Sequence, residues 1–253
     1  MKLNYKKYGE GKPFIILHGL FGSSDNWHSH AKKLGQYFEV YAIDQRNHGD
    51  SGWSDEFNYE VMAEDLEEFV QEHNLSDFIL LGHSLGGKTA MRYAQLYPDR
   101  IEKLISVDMG VKENEPSHDE IIAGLESIDI EKITSRREAD EQLAKYVASR
   151  TVRQFLLKSL YRDKQKSFAW KINIPVLARR YTEILKGLPK EEVMIDTLFI
   201  NGEKSGYLIE DDKNEIRSIF PLASFHTVEG AGHWVHAEKP EEFIEEVLKF
   251  SLL

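Results

Sequence analysis

A serine hydroxyl becomes a nucleophile only when a base takes its proton, and one serine of this chain stands in a setting suited to that chemistry. Gly82-His83-Ser84-Leu85-Gly86 follows the pattern G-x-S-x-G, directly after the apolar run Phe78-Ile79-Leu80-Leu81 and directly before the helix-compatible stretch Gly87–Ala94. A strand that reverses into a helix within so few residues strains the backbone at the serine and leaves no room for side chains two positions either side, which accounts for both glycines. The turn lifts the Ser84 hydroxyl clear of the sheet. It also aims the partial positive charge of a helix N-terminus at any negative charge that develops nearby.

Among ten histidines, His233 fits the base best. It lies in Glu229-Gly-Ala-Gly232-His233-Trp234, past the last predicted strand and before the C-terminal helix, on the same carboxyl edge of the sheet as Ser84. His236, three residues on, is expected to pack or hydrogen-bond against that loop. The base needs a carboxylate to orient it and to stabilise its charged form. The commonest place for that acid is the loop after the strand Thr197–Ile200, which reads Asn201-Gly202-Glu203-Lys204-Ser205-Gly206 and has a serine where an aspartate is generally found. A serine cannot stabilise an imidazolium as a carboxylate does. Asp108, at the end of the strand Leu104–Val107, occupies the same edge and keeps the chain order Ser, Asp, His. Asp108 is therefore preferred, with Glu203, Asp211 and Asp212 as alternatives.

Two preorganised N–H groups must meet the oxyanion. One comes from the residue after the nucleophile, Leu85. The other comes from the loop His18-Gly19-Leu20-Phe21-Gly22 that ends the first buried strand, with Leu20 as the donor and Phe21 as the alternative. His18, alone at a strand end, reads as a structural hydrogen-bonding group. No cluster with metal-ligand spacing accompanies it, so no metal is expected. With no cysteine, the chain has no thiolate nucleophile, disulfide or thiolate zinc site.

These groups need a scaffold that brings distant stretches to one edge. Short apolar runs at Phe14–Leu17, Val40–Ile43, Phe78–Leu81, Leu104–Val107, Thr197–Ile200 and Phe225–Val228, with a weaker alternating run at Leu3–Tyr8, are separated by amphipathic helical stretches. The pattern predicts an α/β fold with a mostly parallel central sheet and helices on both faces. From Val111 to Pro189 no convincing strand is visible, only helical stretches such as Arg136–Val147 and Val152–Leu160. The expected organisation is a core of residues 1–110 and 190–253 with a helical cap at 111–189, above the carboxyl ends of the strands. Of its larger side chains, Phe155, Leu156, Leu160, Tyr161, Phe168, Trp170 and Tyr181, some are expected to line an acyl pocket and most to form the cap's own core.

The 253 residues are 41% hydrophobic and 30% charged, an ordinary globular balance. A net charge of −11 disfavours nucleic acid as a partner. The longest apolar run near the N-terminus, Phe14–Leu17, falls short of a signal peptide. No stretch approaches the roughly 20 apolar residues of a spanning helix, so stable membrane insertion is not expected and a cytoplasmic protein is. Nothing in the sequence fixes the oligomeric state.

Taken together, His18-Gly19, Asp44-Gln-Arg46-Asn-His48-Gly49-Asp-Ser51, Gly-His-Ser84-Leu-Gly-Gly and Gly232-His233-Trp-Val-His resemble the α/β-hydrolase superfamily. Within it, the Asp44–Ser51 loop, Gly-Gly-Lys88-Thr-Ala-Met and Val107-Asp108 are similar to the YbfF-type esterases and their mitochondrial relatives. The resemblance implies hydrolysis of small-molecule acyl esters or thioesters through an acyl-serine, no cofactor, a helical cap, and Ser84, Asp108 and His233 in the matching positions. It also implies that the loop after the later strand can carry a serine at Ser205. The same residues would serve acyl transfer or haloperoxidase-like perhydrolysis, and a binding protein could keep the fold without turnover. An aspartate nucleophile, as in dehalogenases and epoxide hydrolases, is disfavoured by the serine at the elbow.

Overall fold

The computed structural model describes residues 1–253. Seven strands form one sheet: β1 (Tyr5–Tyr8), β2 (Pro13–Leu17), β3 (Glu39–Ile43), β4 (Phe78–His83), β5 (Ile101–Val107), β8 (Asp196–Gly202) and β9 (Ala223–Val228). Their spatial order is β1-β3-β2-β4-β5-β8-β9. Only β1 runs antiparallel to its neighbour. All seven runs expected from sequence are present, because interior parallel strands are covered on both faces and so read as short apolar blocks.

Helices cover the two faces separately. Phe14 and Ile16 of β2 pack with Ala31 and Leu34 of α1 (His28–Leu34) and Phe243 and Val247 of α10 (Pro240–Leu252). Ile15 and Leu17 point the other way, into a core with Leu66 and Phe69 of α2 (Tyr59–Glu72), Met91 and Ala94 of α3 (Leu85–Leu96) and Ile216 of α8 (Lys213–Ile219). A short helix α9 (Val235–Glu238) precedes α10. The chain builds outward from β2 to β3, then returns to β4 on the opposite side. The carboxyl ends of β2 and β4 therefore lie at a topological switch point, where open α/β sheets form their crevice.

Between β5 and β8 the chain runs through α4 (Asp119–Glu126), α5 (Arg136–Leu143), α6 (Arg150–Leu156) and α7 (Ile174–Arg179), which share an apolar cluster with Leu20, Leu85 and Tyr59 of the sheet-bearing part. This stretch is not wholly helical, as the sequence pattern had led one to expect. β6 (Leu160–Arg162) and β7 (Phe168–Trp170) form a separate antiparallel pair. The helix expected over Val152–Leu160 stops at Leu156, and Leu160 already belongs to β6. Strands of three residues are too short to show an alternating period. The two chain crossings that lead into and out of this segment are tied side by side by Leu188 N–H to Val111 O (2.9 Å) and Asn114 N–H to Leu185 O (2.8 Å).

Candidate active site

Ser84 sits between β4 and α3 with φ 53° and ψ −117°, a left-handed conformation that a non-glycine residue adopts only under constraint. Its N–H donates to Val107 O (3.0 Å) and its carbonyl accepts from Gly87 N–H (2.8 Å). A Cβ at residue 82 would lie 2.0 Å from Gly86 O, and one at residue 86 would lie 2.4 Å from Leu17 O, so only glycine fits either place. Leu85 is the first residue of α3, where backbone N–H groups lack intrahelical acceptors.

Asp108 follows β5, is wholly buried and also has positive φ (50°). Its Oδ2 accepts from His233 Nδ1 at 2.6 Å, and its Oδ1 accepts from Gly202 N–H at 3.0 Å. The Ser205 hydroxyl donates to the same Oδ2. Ser205 thus partners Asp108. The alternative acids do not reach the ring. Glu203 accepts from Gly230 N–H (2.8 Å), Asp212 pairs with Lys112 (2.8 Å) and accepts from Ile209 N–H (2.9 Å), and Asp211 is exposed.

His233 is held from three directions. His83 Nε2–H donates to the His233 carbonyl (2.9 Å), the Tyr207 ring stacks on the imidazole (centroids 4.2 Å apart, planes at 29°), and the Glu238 carboxylate accepts from Gly232 and Trp234 N–H. His236 is buried and stacks on Trp27 at 4.5 Å, the packing role expected of it.

The loop after β2 is fixed by two neutral imidazoles. His18 Nδ1–H donates to Gly19 O (2.8 Å) while its Nε2 accepts from Gln45 N–H (3.0 Å). His48 Nδ1–H donates to Arg46 O (2.9 Å) while its Nε2 accepts from Phe21 N–H (3.1 Å). That last bond consumes the donor of Phe21, which removes it as an oxyanion group. Leu20 N–H has no acceptor in the chain. Burial pulls His48 and His83 down to about 3 and also lowers His18. His48 and His83 lie inside the Asp44–Ser51 and Gly82–Gly86 motifs, whose residue types alone do not disclose these contacts, and nothing in the sequence signals Tyr207.

Comparison with known proteins points the same way. Residues 12–171 match a family described as "alpha/beta hydrolase fold". The chain is 43% identical to a solved "Marine microorganism esterase", with 98% of this chain and 99% of the other covered and a TM-score of 0.96. It is 33% identical to "Esterase YbfF" of Escherichia coli over 99% of both chains. It is 37% identical to the zebrafish (Danio rerio) "sn-1-specific diacylglycerol lipase ABHD11" over 96% of this chain and 79% of the relative. The chain belongs to the α/β-hydrolase family.

In this α/β-hydrolase two cavities meet at Ser84. One is lined by His233, Trp234, Phe155 and Val152 among others. The other is lined by Leu85, Met109, Tyr59, Leu185 and Tyr207 among others. Leu20, Ser84 and His118 border both. Of the seven large side chains singled out between residues 111 and 189, Phe155, Leu156 and Tyr181 reach a cavity, while Leu160 and Phe168 are buried in the segment's own apolar cluster. No group of three or more His, Cys, Asp or Glu side chains is arranged to hold a metal ion, and no helix is long and apolar enough to cross a membrane.

Two outcomes follow from this geometry. Gly86→Ala drives a methyl group into the Leu17 carbonyl, and denaturant titration should register a loss of about 2 kcal/mol or more; a variant within 0.5 kcal/mol of wild type contradicts the constraint. Acid sensitivity should come from the buried rings. His48 and His83 titrate near 3 and His118 near 4 in the folded protein, all depressed by burial below the usual 6.5. Their contribution is complete above pH 6.5. As pH falls below that value, the unfolded chain binds protons that the folded one does not, so stability drops by up to about 1.4 kcal/mol per pH unit for each ring. Urea midpoints measured from pH 7.5 to pH 4.5 should fall steeply, and a flat profile would contradict burial in the neutral form.

Proposed function

We propose that this α/β-hydrolase is a serine hydrolase that cleaves small-molecule carboxylic esters or thioesters through an acyl-serine intermediate. The observation that carries the reading is the 2.6 Å bond from His233 Nδ1 to a wholly buried Asp108, beside a cavity that His233 shares with the serine of a strained strand-to-helix turn. In this reading Ser84 Oγ attacks the acyl carbonyl as His233 Nε2 takes its proton. Asp108 holds the tautomer with hydrogen on Nδ1 and stabilises the imidazolium. The Leu20 and Leu85 N–H groups receive the oxyanion, each worth roughly 3 to 4 kcal/mol in the transition state. The adduct then collapses, the bond to the leaving group breaks, and the proton on Nε2 passes to the departing oxygen or sulfur. Water, deprotonated by His233, repeats the sequence on the acyl-enzyme, releases the carboxylic acid and restores Ser84. No metal or cofactor takes part in this scheme.

We assign residues 111–189 as the cap over this reaction and residues 1–110 and 190–253 as the catalytic core, with the cytoplasm as its compartment. The apolar cluster that joins α4–α7 to Leu20 and Leu85 supports the cap assignment.

A fluorophosphonate probe should label the protein stoichiometrically at Ser84, and Ser84→Ala should abolish labelling; an intact mass unchanged after exposure would overturn the hydrolase reading. In the same assay on a small aryl ester, Asp108→Asn should lower kcat by about 10³–10⁴ because the ring loses its oriented tautomer. Ser205→Ala, which removes one hydrogen bond to a carboxylate that keeps two others, should cost about tenfold. Glu203→Gln and Asp211→Asn should stay near wild type. Turnover retained by Asp108→Asn and lost in either of those two would reassign the acid.

A further inference from the structure

One imidazole beside Ser84 is used neither by the hydrolytic scheme nor by the loops that hold it. His118 immediately precedes α4 and borders both cavities that meet at the serine. Main chain and side chain together fix its place. The His118 carbonyl accepts from Ile122 N–H (2.8 Å) in the first turn of α4. From the far end of the 111–189 segment, the Tyr181 hydroxyl accepts from the Ser117 and His118 N–H groups (3.0 Å each), so its own hydrogen is directed at His118 Nδ1 (2.9 Å). The Ser117 hydroxyl lies 3.1 Å from the same Nδ1 and 2.9 Å from the Tyr207 hydroxyl, which carries the network to the ring stacked on His233.

An Nδ1 that accepts leaves the hydrogen of the neutral ring on Nε2. Nε2 makes no hydrogen bond within the chain and is open to contact. His118 therefore offers the cavities one N–H donor in a fixed tautomer, on a ring whose other nitrogen is occupied. It is not a second acid. Burial, with a smaller push from His233, pulls its pKa down to about 4, so at neutral pH it has no imidazolium proton to give. What remains is recognition. A preorganised N–H beside the reacting group binds an acceptor oxygen and discriminates against a substrate without one, because the donor is then left unpaired. The surroundings do not suit an anion, since no lysine or arginine borders either cavity and Glu115 borders the one that Tyr207 lines. The acceptor that fits is a neutral oxygen.

We propose that His118 Nε2–H is a substrate-binding donor, held in its tautomer by Tyr181 as positioning residue, and that the substrate is an ester or thioester carrying a neutral ether or carbonyl oxygen next to the scissile group. The proposal rests on the serine-hydrolase reading.

The test measures kcat/KM on the full chain for pairs of esters that differ only in an oxygen replacing a methylene. On the acyl side the pair is p-nitrophenyl methoxyacetate and p-nitrophenyl butyrate; on the alcohol side it is 2-methoxyethyl butyrate and butyl butyrate. Dividing the oxygen-to-methylene ratio of wild type by that of a variant cancels the intrinsic reactivity of the esters. His118→Phe should lower the ratio about three- to tenfold in one of the pairs, the worth of one neutral hydrogen bond. The pair that responds identifies which half of the substrate carries the oxygen. His118→Gln, whose side-chain amide also presents an N–H, should keep most of the preference, and Tyr181→Phe should lower it in the same pair as His118→Phe. An unchanged ratio in both pairs for His118→Phe overturns the proposal. So does an equal loss in His118→Phe and His118→Gln, which would make ring packing the cause. If Tyr181→Phe slows both members of the pair alike, Tyr181 serves general stability and its part is overturned. Failure of the serine-hydrolase reading looks different: Ser84→Ala would then retain turnover on all four esters.

Discussion

The strained turn at Ser84 is the constraint around which the rest is arranged. A serine at φ 53° persists only because its surroundings leave no alternative. The glycines at 82 and 86 let two backbones approach within distances that any side chain forbids, and the N–H bond to Val107 O ties the turn to the neighbouring strand. The same contacts that hold the serine therefore also fix the carboxyl ends of β2, β4 and β5 relative to one another. Those three strand ends carry the loop with Leu20, Ser84 and Asp108, so strain at one residue and registration of the whole edge are a single condition.

Buried neutral imidazoles do much of the remaining positioning. A histidine held neutral offers one donor and one acceptor on a rigid ring, which suits a place where a backbone N–H and a carbonyl must both be satisfied without water. His18 and His48 each bridge such a pair, and His83 spans from the elbow to the carbonyl of His233. Protonation of His18 or His48 would convert the acceptor into a second donor facing an N–H. Burial, which disfavours the charged ring, depresses the pKa of both.

Much of this was legible in the sequence, and the division follows physical lines. The seven sheet strands were visible because buried parallel strands are apolar blocks between turn residues. Ser84 and His233 were visible because each lies in a local motif whose glycines report backbone geometry. Asp108 was legible only as a preference over Glu203, Asp211 and Asp212, because Ser205 lacks a carboxylate and Asp108 closes a strand on the same edge. The pair β6–β7 was not visible, since three residues carry no period. Nor were His83, His48 and Tyr207, because what they do depends on which backbone atom or ring lies opposite: His83 and its acceptor are 150 residues apart. Nothing local in a sequence encodes such a partner.

The position of Asp108 also bears on the loop after β8. A wholly buried carboxylate is tolerable only when its charge is met by hydrogen bonds. Asp108 receives three, from Gly202 N–H, the Ser205 hydroxyl and His233 Nδ1–H. The end of β8 and the loop after it contribute two neutral donors to this carboxylate, Gly202 N–H and the Ser205 hydroxyl. It also turns so that Tyr207, whose N–H donates to Ser205 Oγ at 3.3 Å, lays its ring on the imidazole. A carboxylate at residue 205 would set a second negative charge against Asp108 Oδ2, where the Ser205 hydroxyl donates a hydrogen bond instead.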